Sequence, residues 1–264
     1  MRKIAVANMK GGVGKTTTAI HLAAGLAMRG RKVLLIDTDP QGNVGHALRV
    51  RASHTMQEVM MGEAPVEEAI VRGVRPGLDV IASSTSAFSL ERRLAGETQR
   101  ETILARRLRS ANGYDAVIID SSPAMNLLTY NALLYADQVI VPVAMDLMAI
   151  IGARQTLNGV AEVRELWPDR PIELMAVIPT FANTQTNATR AALEALEADA
   201  QLSRSLYRAG IRQCIDLNYA TSQGQTIWEY APRSRAAEDY TRFIDFVEAY
   251  GSTQEITRKA EAVV

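Results

Sequence analysis

At 264 residues, 47% hydrophobic and 22% charged, the chain is long enough to bury a substantial core and too apolar to stay disordered. Its 29 Lys plus Arg balance 29 Asp plus Glu, so an anionic partner must be met by a local patch rather than a global field. The single cysteine, Cys214, excludes an intramolecular disulfide framework and any multi-cysteine cluster or zinc site, and fits a reducing compartment.

The predicted elements alternate. Residues 4–7 read as a short buried strand, followed by a helix over 15–29 that Gly30 closes. KVLLID, GLDVIAS, DAVIID, QVIVPV and ELMAVIP are further short strands, rich in Val and Ile and bounded by turn or charged residues. Helical patterns fall at 98–111, 127–135, 150–166, 186–199 and 236–250. Residues 44–77 carry weaker strand signals and read as a helical insertion. The alternation predicts an α/β fold: one domain over residues 1–250, a mostly parallel twisted sheet with helices on both faces, and a short tail over 251–264. No leader is expected, because Gly-rich sequence arrives by Gly11 without a long apolar run before it. No apolar stretch is long enough to span a bilayer, and the tail GSTQEITRKAEAVV is too poor in bulky apolar residues for an amphipathic anchor.

MKGGVGKTT joins the first strand to the first helix. A standard phosphate loop reads G-x-x-x-x-G-K-[ST]; here Gly14-Lys15-Thr16 supply its end, and Met9 stands where the first glycine belongs. Gly11, Gly12 and Gly14 let backbone N–H groups turn inward around phosphates at the positive end of the helix, with Val13 and Thr17 in the same cradle. Lys15 reaches outer phosphates and the Thr16 hydroxyl binds Mg²⁺. A Gly-rich turn with an incidental lysine is the bland alternative; strand, loop, GKT and helix coinciding in order outweigh it. Lys10 stays open between a solvated loop-edge lysine and a working one. LLIDTDPQGN sets Asp37 and Asp39 at a strand's C-terminal end, where open α/β sheets bind ligands and a carboxylate can orient a water for attack on a terminal phosphate. Asp120 ends another apolar strand, the pattern of a Mg²⁺-associated carboxylate. Read alone, an Asp-Pro turn with two exposed carboxylates is the better reading of the first pair, and Asp120 is a weak signal, since many strands end in Asp. Of the three histidines, His21 reads as a packing residue, and no ligand spacing for a metal is present.

KGGVGKTT resembles the deviant Walker A motif, xKGGxGK[ST], of the ParA/MinD ATPases. DTDPQGN, the LLTYNAL that follows Pro123, and EYAPRSRAAEDYTRF are similar to further ParA elements in the same order. The resemblance spans residues 2–250. It implies a P-loop NTPase fold of the deviant Walker A type and ATP with Mg²⁺ as cofactors. Lys10 would cross a dimer interface to the nucleotide of the other subunit, giving a homodimer with ATP sandwiched between its chains. Lys15 and Asp39 would join Lys10 in catalysis, with Asp39 positioning the attacking water. Thr16, Asp37 and Asp120 would serve the metal, and Pro179 and Pro232 would approach the adenine. Ser122 stands in place of a proline usual in the family, which blurs how the adjoining switch loop is held.

Within that family the nitrogenase iron protein needs cluster cysteines and MinD an amphipathic membrane helix; neither is seen here. Larger ParA proteins carry an N-terminal DNA-binding extension, whereas here the first strand begins at residue 2. The small ParA (Soj-like) type is therefore expected, with non-specific DNA, no membrane, and a ParB-like or other cargo adaptor as partners, working in the cytoplasm on the nucleoid. The candidate DNA surface is Arg190, Arg204, Arg208, Arg212, Arg233 and Arg235. Arg204 and Arg208, four apart, would share a helix face ending at Gly210. Asp216 occupies a position where an arginine is usual, and a solvated arginine face is the plain alternative. The competing functional class is a metabolic or cluster-assembly enzyme using the same nucleotide site.

Overall fold

The protein is described by a computed structural model covering residues 1–170 and 172–261. Among these residues seven strands, β1 (Arg2–Val6), β2 (Val33–Asp37), β3 (Ile70–Arg75), β4 (Leu78–Ile81), β5 (Ala116–Asp120), β6 (Gln138–Ala144) and β7 (Glu173–Thr180), form one sheet in the order β3-β4-β2-β5-β1-β6-β7. All neighbours are parallel except the edge pair β3–β4. The helices are α1 (Lys15–Met28), α2 (Asn43–Leu48), α3 (Met56–Met61), α4 (Val66–Ala69), α5 (Leu90–Arg93), α6 (Ile103–Arg107), α7 (Leu127–Tyr135), α8 (Leu147–Leu166), α9 (Asn187–Ala198), α10 (Asp216–Gln223), α11 (Ile227–Tyr230) and α12 (Arg235–Glu261).

Side chains alternate across a strand, and both faces here are covered. Ala5, Leu34, Ile36, Val117 and Ile119 pack toward α3, α6, α7 and α8. Ile4, Val6, Leu35, Ile118 and Ile140 pack toward α1 and α12. That is why the strands read as unbroken apolar runs. The order reverses beside β1: β2 lies beyond β5 on one side, and β6 and β7 lie on the other. Val6, Asp37 and Asp120 are level in the ladder, so the loops leaving β1, β2 and β5 open together at the C-terminal edge, the crevice where such sheets bind ligands.

Three expectations need correction. Residues 98–111 are not one helix but a 3₁₀ turn at Arg100–Thr102, α6, and a second 3₁₀ turn at Leu108–Ser110. Gln99 lies in the left-handed region, and the buried Asn131 side chain accepts from Leu104 N and donates to Arg100 O, taking over groups a continuous helix would pair internally. The insertion over 44–77 is helical only to Ala69; IVRGVR then forms β3, turning back on β4 through Pro76-Gly77. The closing helix runs past residue 250 to Glu261, so the expected tail starts inside it, and residues 262–264 lie outside the described ones. Among the described residues no helix is long and apolar enough to cross a membrane.

Candidate nucleotide site

The loop after β1 is held from both sides before it reaches its glycines. Asn8 Oδ1 accepts from Lys10 N and Asn8 Nδ2 donates to Pro142 O. Met9 N donates to Thr156 Oγ1 of α8. Gly152 makes this approach possible: a Cβ there would meet Asn8 Oδ1 at 2.6 Å and Lys10 Cβ at 2.9 Å. Gly12 (φ 73°) and Gly14 (φ 83°) then take left-handed conformations that residues with a Cβ adopt rarely. Val13 is buried and its carbonyl accepts from Thr180 Oγ1. Gly14 leads directly into α1, whose first turn carries no acidic residue, leaving the positive helix end open to an anion.

Gly11, Gly12, Gly14, Lys15, Thr16 and Thr17 line one wall of a cleft of about 680 Å³, and Asp39, Gln41 and Pro123 face them. Lys15 is buried and donates to the Lys10 carbonyl at 2.9 Å. Burial lowers its pKa, while Asp120 and Asp39 work the other way. Asp120 is fully buried, and neither carboxylate oxygen has a hydrogen-bond partner. Burial pushes its pKa up to about 7, against the pull of Thr16 and Lys15.

Asp37 lies level with Asp120 but has a different task. Its oxygens accept from Asp39 N (2.9 Å) and Val44 N (3.1 Å), so it holds the turn that presents Asp39 and starts α2. Burial, with Asp120 adding to it, raises its pKa well above the carboxylate range. Asp39 Oδ1 accepts from Gln41 N. An uncommitted carboxylate beside a threonine hydroxyl is a hard oxygen donor set that fits Mg²⁺. Among the described residues no three His, Cys, Asp or Glu make a closed cage, so a metal here would complete its shell with phosphate oxygens and water. The loop around Ser122 is held by its neighbours: Asn126 donates to Ser122 Oγ and caps α7 at Thr129 N, and Thr129 Oγ1 donates to Ala124 O.

Lys10 points elsewhere. Its ammonium pairs with Asp146 at 2.5 Å, and Asp146 also caps α8 by accepting from Ala149 N. Although partial burial works against it, the Lys10 ammonium and that N–H hold the Asp146 carboxyl below its usual range. Leu147, Met148 and Ile151 beside it are exposed.

A second cleft of about 870 Å³ shares Thr17 and Phe181 with the first and continues along Asn183, Gln213, Ser234 and Arg235. Pro179 and Pro232 line neither cleft. The Pro179 carbonyl accepts from Ile211 N, and Pro232 is exposed. Their neighbours Phe181, Ser234 and Arg235 take the positions facing the cavity. Phe181, Thr221, Ser222 and Gln225 carry no motif in the sequence; tertiary packing alone brings them to the cleft.

His21 packs as expected. Its Nδ1 donates to Thr17 O and its Nε2 accepts from Ile227 N, tying α1 to α11, and its ring stacks on Tyr240. Burial lowers its pKa to about 4, below the unfolded value of about 6.5. As pH falls through 6.5 the unfolded chain takes up the proton first. Stability is therefore full above about 6.5 and declines toward pH 4, by roughly 3 kcal/mol at most. Urea unfolding of the wild type and His21→Gln between pH 7 and 4 checks this; identical pH slopes would refute it.

The arginines do not form one set. Arg204 sits in a 3₁₀ turn, Ser203–Ser205, and Arg208 follows a bridge between Leu206 and Val177, so they share no helix face. The bridge, reinforced by Tyr207 N donating to Val177 O, pulls the chain into an extended path. Arg212 is clamped onto buried Asp239 and onto Glu238. Arg208 faces Glu197 at 3.4 Å. Arg190, Arg204, Arg233 and Arg235 are exposed, with no ion pair among the described residues. Asp216 opens α10 and accepts from Cys214 Sγ.

An anion cradle set against a buried, unpartnered carboxylate makes sense when a polyphosphate and its metal come between them, which places the protein among the P-loop nucleoside triphosphatases. The AAA domain family matches residues 1–170. The chain is 35% identical to the chromosome partitioning protein ParA of Caulobacter vibrioides (92% of each chain covered) and 37% identical to the sporulation initiation inhibitor protein Soj of Bacillus subtilis (94% of this chain, 98% of that one). Among solved structures it is similar to the cobyrinic acid a,c-diamide synthase of Mycobacterium smegmatis with bound ATP analog and magnesium, at TM-score 0.80 and 30% identity over 93% of each chain. The chain belongs to the ParA/MinD family of ATPases.

Proposed function

We propose that this ATPase positions a cargo, a plasmid, a chromosome or a protein assembly, by an ATP-dependent cycle of dimerisation and non-specific DNA binding that a cargo-bound adaptor resets by stimulating hydrolysis. In this reading it works in the cytoplasm, on the nucleoid. The observation that carries it is Lys10: a lysine built into the phosphate loop, fixed by Asn8, Thr156 and Gly152, whose ammonium sits on Asp146 beside exposed apolar residues. Such a placement suits a group that acts on the nucleotide of a second copy. Within each chain Lys15 donates to the outer phosphate oxygens, and Asp39 accepts a hydrogen bond from the attacking water. Thr16 and Asp120 would hold Mg²⁺, which supplies neutralisation of phosphate charge.

Light scattering with ATP tests this. Lys10→Ala should remain folded and weaken ATP-driven dimerisation at least about tenfold, the worth of one charge-assisted hydrogen bond. A wild type that stays monomeric with ATP, or a variant that dimerises equally well, would overturn it.

DNA binding is assigned to the unpaired arginines. Arg204→Glu with Arg233→Glu should abolish ATP-dependent binding to random-sequence DNA at low salt. Neutral replacements should flatten the log affinity–log salt slope by about 0.9 for each phosphate no longer neutralised. Fluorescence anisotropy at several salt concentrations reads both, and unchanged slopes would count against these arginines. The similarity to the diamide synthase, together with the second cleft, supports a metabolic enzyme as the other reading. That reading requires neither DNA binding nor a Lys10-dependent dimer.

A further inference from the structure

At the other end of the sheet lies a cavity of about 830 Å³ that the nucleotide chemistry does not use. Its walls come from the start of β1, the segment around α6, the end of α7 and the turn after α8. Two features set it apart from a surface dimple. Lys3, Arg106, Arg109 and Arg170 line it, and none of the four forms an ion pair among the described residues. The acids on its lining are fewer, Glu101 and Asp169, and Glu101 already pairs with Arg100.

The second feature is its apolar lining. Trp167 supplies half-buried aromatic surface, and behind it Lys3 Nζ lies 4.6 Å from the centroid of the buried Tyr135 ring. Tyr135 is only 5% exposed, yet its hydroxyl has no hydrogen-bond partner. Cavities of this size suit small organic ligands.

We propose that this cavity binds a small organic anion with a flat apolar body, a ring-bearing carboxylate, sulfonate or phosphate ester, at a site separate from the nucleotide cleft. The ring would lie against Trp167, and the anionic group would meet Arg106, Arg109 and Arg170.

The chain's two tryptophans give a direct readout. In a Trp228→Phe background, Trp167 is the sole tryptophan donor for energy transfer to 8-anilinonaphthalene-1-sulfonate, a probe with this chemistry. The expected result is saturable transfer at one site per chain, undiminished by excess Mg²⁺ with a non-hydrolysable ATP analogue. Arg106→Ala with Arg109→Ala should weaken binding at least tenfold, and Arg170→Glu, made separately, should do the same. All three side chains are exposed, so melting curves should be unchanged. Absence of transfer, displacement by the nucleotide analogue, or binding indifferent to the arginines would each overturn the proposal.

Discussion

Replacing Asp39 by Ala is expected to cut ATP turnover roughly 100-fold or more while leaving ATP-dependent dimerisation intact. The residue lines the same cleft as Lys15 and Thr16. Its position is over-determined: Asp37 accepts from its backbone N–H, and its own Oδ1 accepts from Gln41 N. The turn is therefore fixed largely by Asp37, and truncation at residue 39 removes a carboxylate without unfolding its support. Lys15, Thr16 and Asp120, which the binding reading relies on, are untouched. Phosphate release and light scattering on the same samples separate the two effects. A variant with wild-type turnover would show that Asp39 does not position the water. A variant that no longer dimerises with ATP would show that it belongs to binding instead.

What could be read from the sequence was the local part. A strand, glycines that allow positive φ, a lysine and a helix start lie within about twenty residues, and their geometry follows from their own backbone preferences. Asp37 and Asp120 were legible as strand ends because parallel register brings strand C-termini level. The division of labour between them was not, since it depends on the Val44 N–H reaching back to Asp37. Asp146, 136 residues from Lys10, carries no motif at all. Arg212 looked like part of a cationic surface because its partner Asp239 lies 27 residues on, in another element. The same cause broke the helix expected over 98–111: Asn131, from α7, supplied hydrogen bonds that no local pattern reports.

Asp120→Asn is expected to act in opposite directions on stability and function. The carboxylate is fully buried with no well-formed hydrogen bond to either oxygen, and a buried charge that is only partly compensated is costly to the fold. Lys15 and Thr16 offset part of this, but Lys15 Nζ already donates to the Lys10 carbonyl. An amide of the same shape removes the charge without opening a void. Without nucleotide, the variant should therefore melt about 3 °C or more above the wild type, the shift that roughly 1 kcal/mol produces in a domain of this size. With Mg²⁺ and ATP the order should reverse, because stabilisation by a ligand scales with its affinity for the folded state, and the variant offers the metal a neutral carbonyl in place of a carboxylate. Hydrolysis should fall at least about 100-fold if that carboxylate is the metal's protein anchor. Thermal melts with and without Mg²⁺–ATP measure both arms, and a variant that melts below the wild type in the absence of nucleotide would show that Asp120 stabilises the fold. The expected pattern is that of a site kept at the expense of stability, in which the residue most unfavourable to the empty fold is the one that the bound metal and its phosphates require.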